Sequence, residues 1–221
     1  MTRPPSRRPA ATLDHLVVAA ASVADGIEYI AALTGATPRP GGQHVAMGTH
    51  NALLKLGERL YLEIIAVDPA ARKPARPRWF GLDRVELLAE LLERPRLIHW
   101  VARTDGIEAL AADCPVALGP AHAMARGDFR WRITIPDDGS LPGKGVVPTL
   151  IQWDVPHHPA DVLPASGVTL AQLAATHSDP AAVRAALDAL GLAATIHVTY
   201  DRETRLAAML RTSRGTVTLS S

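Results

Sequence analysis

One order of secondary-structure elements occurs more than once along the chain, and this repeat constrains the fold more than any other feature. An alternating apolar run predicts a strand at residues 13–20, and Ser22 is a suitable N-cap for a helix that Gly35 ends. Three short strand-like runs follow, at residues 44–47, 52–56 and 60–67. The sequence therefore predicts a β-α-β-β-β unit that extends to about residue 68.

The same order starts again after a connector. Residues 68–78 are rich in proline and arginine, and the spacing of apolar residues predicts an amphipathic helix at 82–93. Residues 25–28 of the first helix then recur identically at 105–108, between a strand-like run that begins at residue 97 and three later runs at 121–126, 129–135 and 149–155. A third, partial repeat covers residues 168–219.

This repeat predicts an α+β fold. We expect tandem βαβββ modules that form curled mixed sheets, with helices on the outer face, and a third C-terminal βαβββ-like unit. The predicted boundaries are a disordered tail at 1–11, a paired-module domain at 12–158, and the third unit at 159–221. Within the paired domain, residues 12–68 form the first module, 69–96 the linker and its helix, and 97–158 the second module.

Composition excludes several classes of protein. The 23 basic and 22 acidic residues are interspersed, which argues against a nucleic-acid-binding surface, and no run approaches the roughly 20 apolar residues of a membrane span. The single cysteine, Cys114, excludes an internal disulfide and favours a reducing compartment. Asp14 and His15 interrupt the apolar run that would otherwise resemble a secretory signal. We therefore predict a cytoplasmic protein with no nucleic-acid or membrane partner.

Four strand-like runs each supply one candidate metal ligand. A buried carboxylate without a partner is costly, so the one acidic residue among them should be protonated, paired or bound to a cation. From the residues alone, the alternative is two hydrogen-bonded core histidines and a buried ion pair. The four candidates are His15, Glu63, His99 and Gln152.

The element order and several short motifs resemble the vicinal oxygen chelate superfamily, which includes glyoxalase I and the extradiol dioxygenases. The motifs are more similar still to its glyoxalase-like domain family, and they lie at residues 48–51, 61–65, 78–82, 148–154 and 158–159. The resemblance covers about residues 12–190. It implies a cup-shaped sheet in which the first and fourth strands of each module hold a divalent metal, at the positions of the four candidates.

The nitrogen and oxygen donors of this set suit Zn²⁺, Ni²⁺, Co²⁺, Mn²⁺ or Fe²⁺. Gln152 departs from both enzyme types in the superfamily, because glyoxalase I uses a glutamate there as its base and the dioxygenases place their carboxylate in that strand. Asp154 could supply the base instead, or could be a carboxylate that faces solvent. Glu63 and Asp154 are therefore the predicted catalytic residues, with Glu63 also a metal ligand.

The predicted function is that of a metal-dependent lyase or isomerase whose small-molecule substrate is chelated through neighbouring oxygens. A metal-free binding or resistance protein and an extradiol-type dioxygenase are the alternatives. The unpaired third unit suggests a homodimer, although it could instead pad the sheet. Alternation along the strands and proximity to the cup suggest five residues for substrate contact: His50, Asn51, Tyr61, Arg103 and Arg132.

Overall fold

A computed structural model describes residues 10–221. The first module has the predicted element order, and both ends of its helix agree with the prediction. Ser22 Oγ accepts a hydrogen bond from Asp25 N, and Gly35 ends the helix in the left-handed conformation with φ 76°. The elements are β1 (Thr12–Ala19), α1 (Val23–Thr34), β2 (Arg39–His44), β3 (Thr49–Gly57) and β4 (Leu60–Val67).

The second strand differs from its prediction. Residues Val45–Met47 form a short 3-10 helix, and the strand precedes them as β2. Residues 39–44 contain Pro40, Gly41 and Gly42, which have low strand propensity, so nothing in the local sequence indicates a strand. Pairing with the next strand, β3, forms it nevertheless.

The second module repeats this order after a connecting helix. Trp100, fully buried on its first strand, donates its indole N–H to the Val146 carbonyl at 2.8 Å and so ties that strand to the loop before the last strand of the module. The elements are α2 (Val85–Glu93), β5 (Arg96–Arg103), α3 (Ile107–Asp113), β6 (Ala121–Arg126), β7 (Phe129–Thr134), β8 (Thr149–Trp153) and the short helix α4 (Pro159–Val162).

The two modules form one eight-stranded sheet in the order β2-β3-β4-β1-β5-β8-β7-β6. β1 and β5 pair antiparallel at its centre, and each module contains one parallel pair, β1 with β4 and β5 with β8. The two edge strands approach each other: Nη1 of Arg126, at the end of β6, lies 3.3 Å from Nε2 of His44, at the end of β2. The sheet is therefore curled and nearly closed, which confirms the predicted paired modules.

Alternation along the strands divides the buried residues into two cores. Leu16, Leu62 and Trp100 lie on the convex face, where Ile30 of α1 and Ile107 of α3 cover them. A second set lies on the concave face and forms the wall of a cup: Val17, Ile65, Val101, Trp131, Ile133 and Ile151. Since apolar burial stabilises both faces, the few polar side chains inside the cup require a specific partner or function.

The third unit has the predicted element order but a different strand order from the modules. It contains β9 (Thr169–His177), α5 (Pro180–Ala189), β10 (His197–Tyr200), β11 (Arg205–Thr212) and β12 (Gly215–Ser220). These strands form a separate sheet in the order β10-β9-β11-β12, in which β9 pairs parallel with β10. In the modules the first strand pairs parallel with the fourth instead. Its apolar residues belong to the same core as the convex face of the large sheet.

The chain enters β1 alongside this third unit. Ala11 is buried and donates its backbone N–H to the Leu190 carbonyl at 3.0 Å. The predicted tail at 1–11 therefore ends in a residue that packs against the third unit, and its first nine residues lie outside the described part of the chain. No helix within residues 10–221 has the length and apolar composition needed to cross a lipid bilayer.

Candidate functional site

The candidate site is a pocket on the concave side of the sheet, enclosing about 350 Å³ of empty volume that includes its opening. Its wall is mainly aromatic and aliphatic: Trp79, Phe80, Trp131, Ile133, Ile151 and Trp153. Six side chains with polar groups also line it: His15, His44, Asn51, Tyr61, Glu63 and Arg126. We refer to this pocket as the cup.

His15 is held in one orientation by its neighbour in the chain. Its Nδ1 lies 2.6 Å from Asp14 Oδ1, and since an ionised carboxylate can only accept, Nδ1 carries the proton. The Tyr61 ring stacks on the imidazole with their centroids 4.6 Å apart. The lone pair of His15 is therefore on Nε2, the atom that faces Glu63.

Asp14 is fully buried and remains ionised. Two further donors reach its Oδ2, Trp153 Nε1 at 3.0 Å and His158 Nε2 at 3.0 Å. The second assignment follows because His158 Nδ1 already accepts a hydrogen bond from Ala160 N. Burial by itself raises the pKa of Asp14, but its hydrogen bonds and charge interactions with His15 and His158 outweigh burial and hold that pKa well below its usual value.

Glu63 faces His15 across the floor of the cup. Its Oε2 lies 3.7 Å from His15 Nε2, and its Oε1 accepts a hydrogen bond from Asn51 Nδ2 at 2.6 Å. The Asn51 amide cannot be reversed, because its Oδ1 accepts from Gly42 N at 2.9 Å and from Arg126. Asn51 therefore positions one carboxylate oxygen and leaves the other toward the imidazole.

His44 and Arg126 close the cup where the two edges of the sheet meet. Arg126 Nη1 lies 3.3 Å from His44 Nε2, so this nitrogen is the acceptor, and Nδ1 donates to Thr49 Oγ1 at 3.1 Å. Burial lowers the pKa of His44 to about 4; Arg126 also lowers it, whereas Glu63 raises it. His44 is therefore a neutral acceptor near neutral pH. Within residues 10–221, no ion pair joins Arg126 to a carboxylate.

Of the four predicted metal ligands, the structure brings together only His15 and Glu63. His99 is fully buried, and both of its ring nitrogens have partners within the fold: Nδ1 donates to the Gly145 carbonyl at 3.0 Å, and Nε2 accepts from Thr149 N at 3.1 Å. Burial lowers its pKa to about 3. Gln152 lies on the outer face of β8, where its Oε1 accepts from Ile107 N at the start of α3.

The strand register explains the position of Gln152. Tyr61 is the β4 partner of His15, and Glu63 lies two residues beyond Tyr61. In the second module Val101 is paired with Thr149, so Thr149 is the residue two beyond the position opposite His99. The counterpart of Glu63 is therefore Thr149, and Gln152 belongs to the opposite face.

Of the other predicted site residues, some line the cup and some lie elsewhere. Asn51 and Tyr61 line the cup. Arg132 and Asp154 form an ion pair on the outer face, with a 3.0 Å contact, and Arg132 also reaches Glu108. Arg103 lines a separate cleft and donates to the Leu13 and Arg59 carbonyls. His50 lies on the face of β3 opposite Asn51.

The arrangement of the side chains decides whether the predicted divalent metal could bind. Within residues 10–221, no three side chains of His, Cys, Asp or Glu form a group that could hold a metal ion. The predicted donor set is divided between the two faces of the sheet, and the His99 lone pair is already used. The residues as arranged do not fit the predicted four-ligand metal site, so the chemistry proposed below uses the side chains themselves.

Three residues of this site had no predicted role: His44, Arg126 and His158. His44 and Arg126 meet only because β2 and β6 approach each other, and no local pattern reports that approach. His158 lies between Pro159 and a second histidine, in what reads as a turn. A sequence signal did exist for Asp14, because an acidic residue at the start of a buried strand requires hydrogen-bond donors nearby.

The chain resembles a known domain family in sequence and solved structures in fold. A family model described as a glyoxalase-like domain matches residues 13–191. A search of curated proteins finds no match. A hypothetical protein from Staphylococcus aureus has a similar structure, with a TM-score of 0.54, 13% identity, and coverage of 96% of this chain and 85% of that one.

Two further structures are less similar. Methylmalonyl-CoA epimerase from Mycobacterium tuberculosis has a TM-score of 0.40 and 18% identity, and the match covers 64% of this chain and 85% of the epimerase. A hypothetical protein from Bacillus halodurans has a TM-score of 0.43 and 13% identity over 69% of this chain and 98% of its own. The Staphylococcus aureus match concerns the fold alone, and the other two are too distant to carry an argument.

Proposed function

The chain belongs to the glyoxalase-like domain family, and we propose that its cup binds a small molecule with two neighbouring oxygen atoms and removes a proton from the carbon beside its carbonyl group. The protein would then act as an isomerase or a lyase. The observation that carries this proposal is the Asp14–His15 pair, whose free Nε2 faces the Glu63 carboxylate on the floor of an aromatic-lined cup.

His15 is the proposed general base. Its Nε2 lone pair is available, and the ionised Asp14 on Nδ1 stabilises the imidazolium that forms when Nε2 takes up a proton. Asp14 also accepts from Trp153 and His158, so its charge remains compensated before and after the transfer. An imidazole oriented in this way can take a proton from carbon and return it.

Glu63 is the proposed second proton carrier. When the C–H bond breaks, its electron pair moves into the carbonyl group and gives an enediolate, while the proton resides on His15. The proton on His15 then returns to the former carbonyl carbon while Glu63 carries the hydroxyl proton to the other oxygen, which completes an isomerisation. In an elimination, the enediolate instead gives its hydroxyl proton to Glu63 and expels a leaving group from the carbon bonded to its other end. Asn51 holds the carboxylate so that only Oε2 faces the reacting atoms.

The enediolate places negative charge on oxygen, and the cup contains two donors suited to it. The guanidinium of Arg126 is a charged donor with no carboxylate partner within residues 10–221. The indole Nε1 of Trp79 is buried and has no hydrogen-bond partner there, and Trp79 lines the cup. Because a buried donor is normally paired, the Trp79 indole suits an oxygen atom of a ligand. The positive charge of Arg126 favours the oxygen that becomes negative.

Hydrogen exchange tests this proposal. The protein is incubated in D₂O with hydroxyacetone, dihydroxyacetone or pyruvate, and loss of the proton next to the carbonyl is followed by NMR. We expect catalysed exchange with at least one compound. The His15→Gln and Glu63→Gln variants should each exchange about 100-fold more slowly, the usual contribution of a general acid or base. His197→Gln, on exposed β10, should be unchanged.

A metal-free binding protein is the second candidate, and the aromatic wall favours it. Three tryptophans line the cup, so their fluorescence reports ligand entry independently of turnover. If these compounds change the fluorescence but the protein catalyses no exchange, the cup is a binding site and the acid-base proposal is wrong.

A further inference from the structure

A second cavity adjoins the cup and is mainly apolar, although Arg126, Asp128 and His157 also line it. It lies between β2, the β6–β7 turn and α4, and it encloses about 870 Å³ of empty volume that includes its opening. Its apolar lining consists of Pro40, Leu53, Phe129, Pro159, Val162 and Leu163. We refer to it as the side cavity.

Arg126 lies at the boundary between the two cavities and lines both. Its guanidinium bonds Asn51 and His44 inside the cup, and its carbon Cζ lies 5.7 Å from the centre of the Phe129 ring. Leu53 and Leu163 of the side cavity also pack with Tyr61 of the cup. A ligand whose oxygen atoms contact Arg126 therefore has an apolar surface immediately beside those oxygens.

The wall of the side cavity is fixed relative to the proposed base. His158 caps α4, since its backbone N–H donates to Asp161 and its Nδ1 accepts from Ala160 N. The same imidazole donates from Nε2 to Asp14, the partner of His15. The distance between the reacting groups and the apolar wall is thus set by hydrogen bonds through one residue.

We infer that the substrate has two parts, an oxygen-bearing group in the cup and an alkyl or aryl group in the side cavity. This inference rests on the proposed function. Val162 supports it, because this apolar side chain in the cavity wall is 74% exposed and nothing within residues 10–221 covers it. An apolar substituent would remove that surface from water, whereas a bare three-carbon substrate would not reach it.

The test uses 1-hydroxy-2-alkanones of three to six carbons, with binding measured by tryptophan fluorescence and by calorimetry. We expect the dissociation constant to fall about fourfold for each added methylene, the effect of burying one such group. In Val162→Asp the gain should fall below about twofold per methylene, while hydroxyacetone binds as before. The control is Leu92→Asp on α2, where the side chain is similarly accessible, at 81%, but lies outside both cavities.

Each result is decisive. If all the compounds bind with equal affinity and the protein still catalyses exchange, the side cavity does not bind the substrate, and the proposed function stands. If affinity rises with chain length but the protein catalyses no exchange, the side cavity binds the apolar group and the proposed chemistry is wrong. Absence of binding by every compound overturns both. A smaller molecular mass for Val162→Asp in light scattering would show that a second copy of the chain covers the cavity, which also overturns the inference.

Discussion

At the residue scale, Asn51 organises the cup. Its amide donates to Glu63, and its oxygen accepts from Gly42 and Arg126, so one side chain links its own strand, β3, to three others. The sequence suggested Asn51 as a contact for substrate, whereas its polar atoms are bonded within the fold. Its main effect on a reaction would be to position Glu63.

Replacement of this residue gives the first prediction. Asn51→Ala leaves a buried carboxylate oxygen without a donor, so the free energy of unfolding should fall by about 1–3 kcal/mol. Urea denaturation measures it. Gln43→Ala is the matched control, because Gln43 also donates an amide hydrogen bond to a carboxylate but from an exposed position, and its loss should be under about 1 kcal/mol. Equal losses in the two variants would contradict this role for Asn51.

The second prediction concerns pH. Burial lowers the pKa of His44 to about 4 and that of His99 to about 3, whereas both protonate near 6.5 in the unfolded chain. Between these values the unfolded state binds more protons, so stability falls as pH falls from 6.5 toward 4, by about 1.4 kcal/mol per pH unit for each histidine.

Urea denaturation at pH 7, 6 and 5 measures this slope. The His99→Gln variant should lose one histidine's share of it, and His197→Gln on exposed β10 should lose none. A free energy of unfolding that stays constant from pH 7 to pH 5 would show that these imidazoles are not buried in the neutral form.

At the scale of elements, the bulge in β2 determines how closely β3 and β6 approach. The pairing register of β2 with β3 shifts between Pro40 and Gln43, at the two glycines. A Cβ on Gly41 would lie 2.0 Å from Asn51 Oδ1, and one on Gly42 would lie 2.8 Å from Arg126 Cδ. Only a residue without a side chain allows both contacts.

We therefore predict that Gly41→Ala displaces Asn51 and, through it, Glu63. The free energy of unfolding should fall by about 1–3 kcal/mol, as for other overpacked positions, and the rate of exchange in D₂O should fall with it. Gly57→Ala is the control, because its added carbon would meet only Leu60, at an ordinary 3.4 Å. Full activity and stability in Gly41→Ala would show that neither depends on the position of Asn51.

The second module carries a counterpart of the His15–Glu63 pair in which Thr149 replaces the acid. His99 and Thr149 satisfy each other by hydrogen bonding and form part of the buried structure. The proposed chemistry therefore belongs to the first module, while the second contributes Arg126 and the aromatic residues Trp131 and Trp153 to the same cup.

At the scale of the whole molecule, the third unit and the modules share one apolar core. Leu173, Leu187 and Leu210 belong to the same cluster as Leu16 and Trp100. Polar contacts join the parts as well, since Ser166 donates its hydroxyl to the Lys55 carbonyl and Ala11 donates to Leu190. We expect the chain to unfold as one cooperative unit.

Two optical probes test this cooperativity. All four tryptophans lie between residues 79 and 153, so their fluorescence reports the modules, whereas far-ultraviolet circular dichroism reports every strand and helix. The two urea transitions should coincide. A separate transition in circular dichroism alone would show that the third unit unfolds independently.

The homodimer remains a prediction from the sequence. The third unit forms its own four-stranded sheet, with β10 and β12 as edges, and these edges could pair with a second copy. Light scattering at micromolar concentration should give twice the mass of the chain. A monomeric mass would indicate that the third unit serves only to cover the convex face of the large sheet.

Local sequence patterns were sufficient to predict the order of the elements, the repetition of the module and the presence of polar residues in buried strands. These features are local, because alternation and capping depend on residues a few positions apart. His15 and Glu63 could be identified as a pair for this reason: His15 is a polar residue among apolar neighbours, and Glu63 is the one charged residue in its strand.

Which polar residues share the cup depends on how the strands pair in three dimensions. Alternation fixes which residues of one strand lie on the same face, but the face that points inward depends on the register with neighbouring strands, and a shift of one residue exchanges the two faces. For that reason Gln152 lies outside and Thr149 inside, although the sequence suggested Gln152. Arg126 reaches His44 only because closure of the sheet joins strands that are far apart in the chain, and no local sequence pattern encodes that closure.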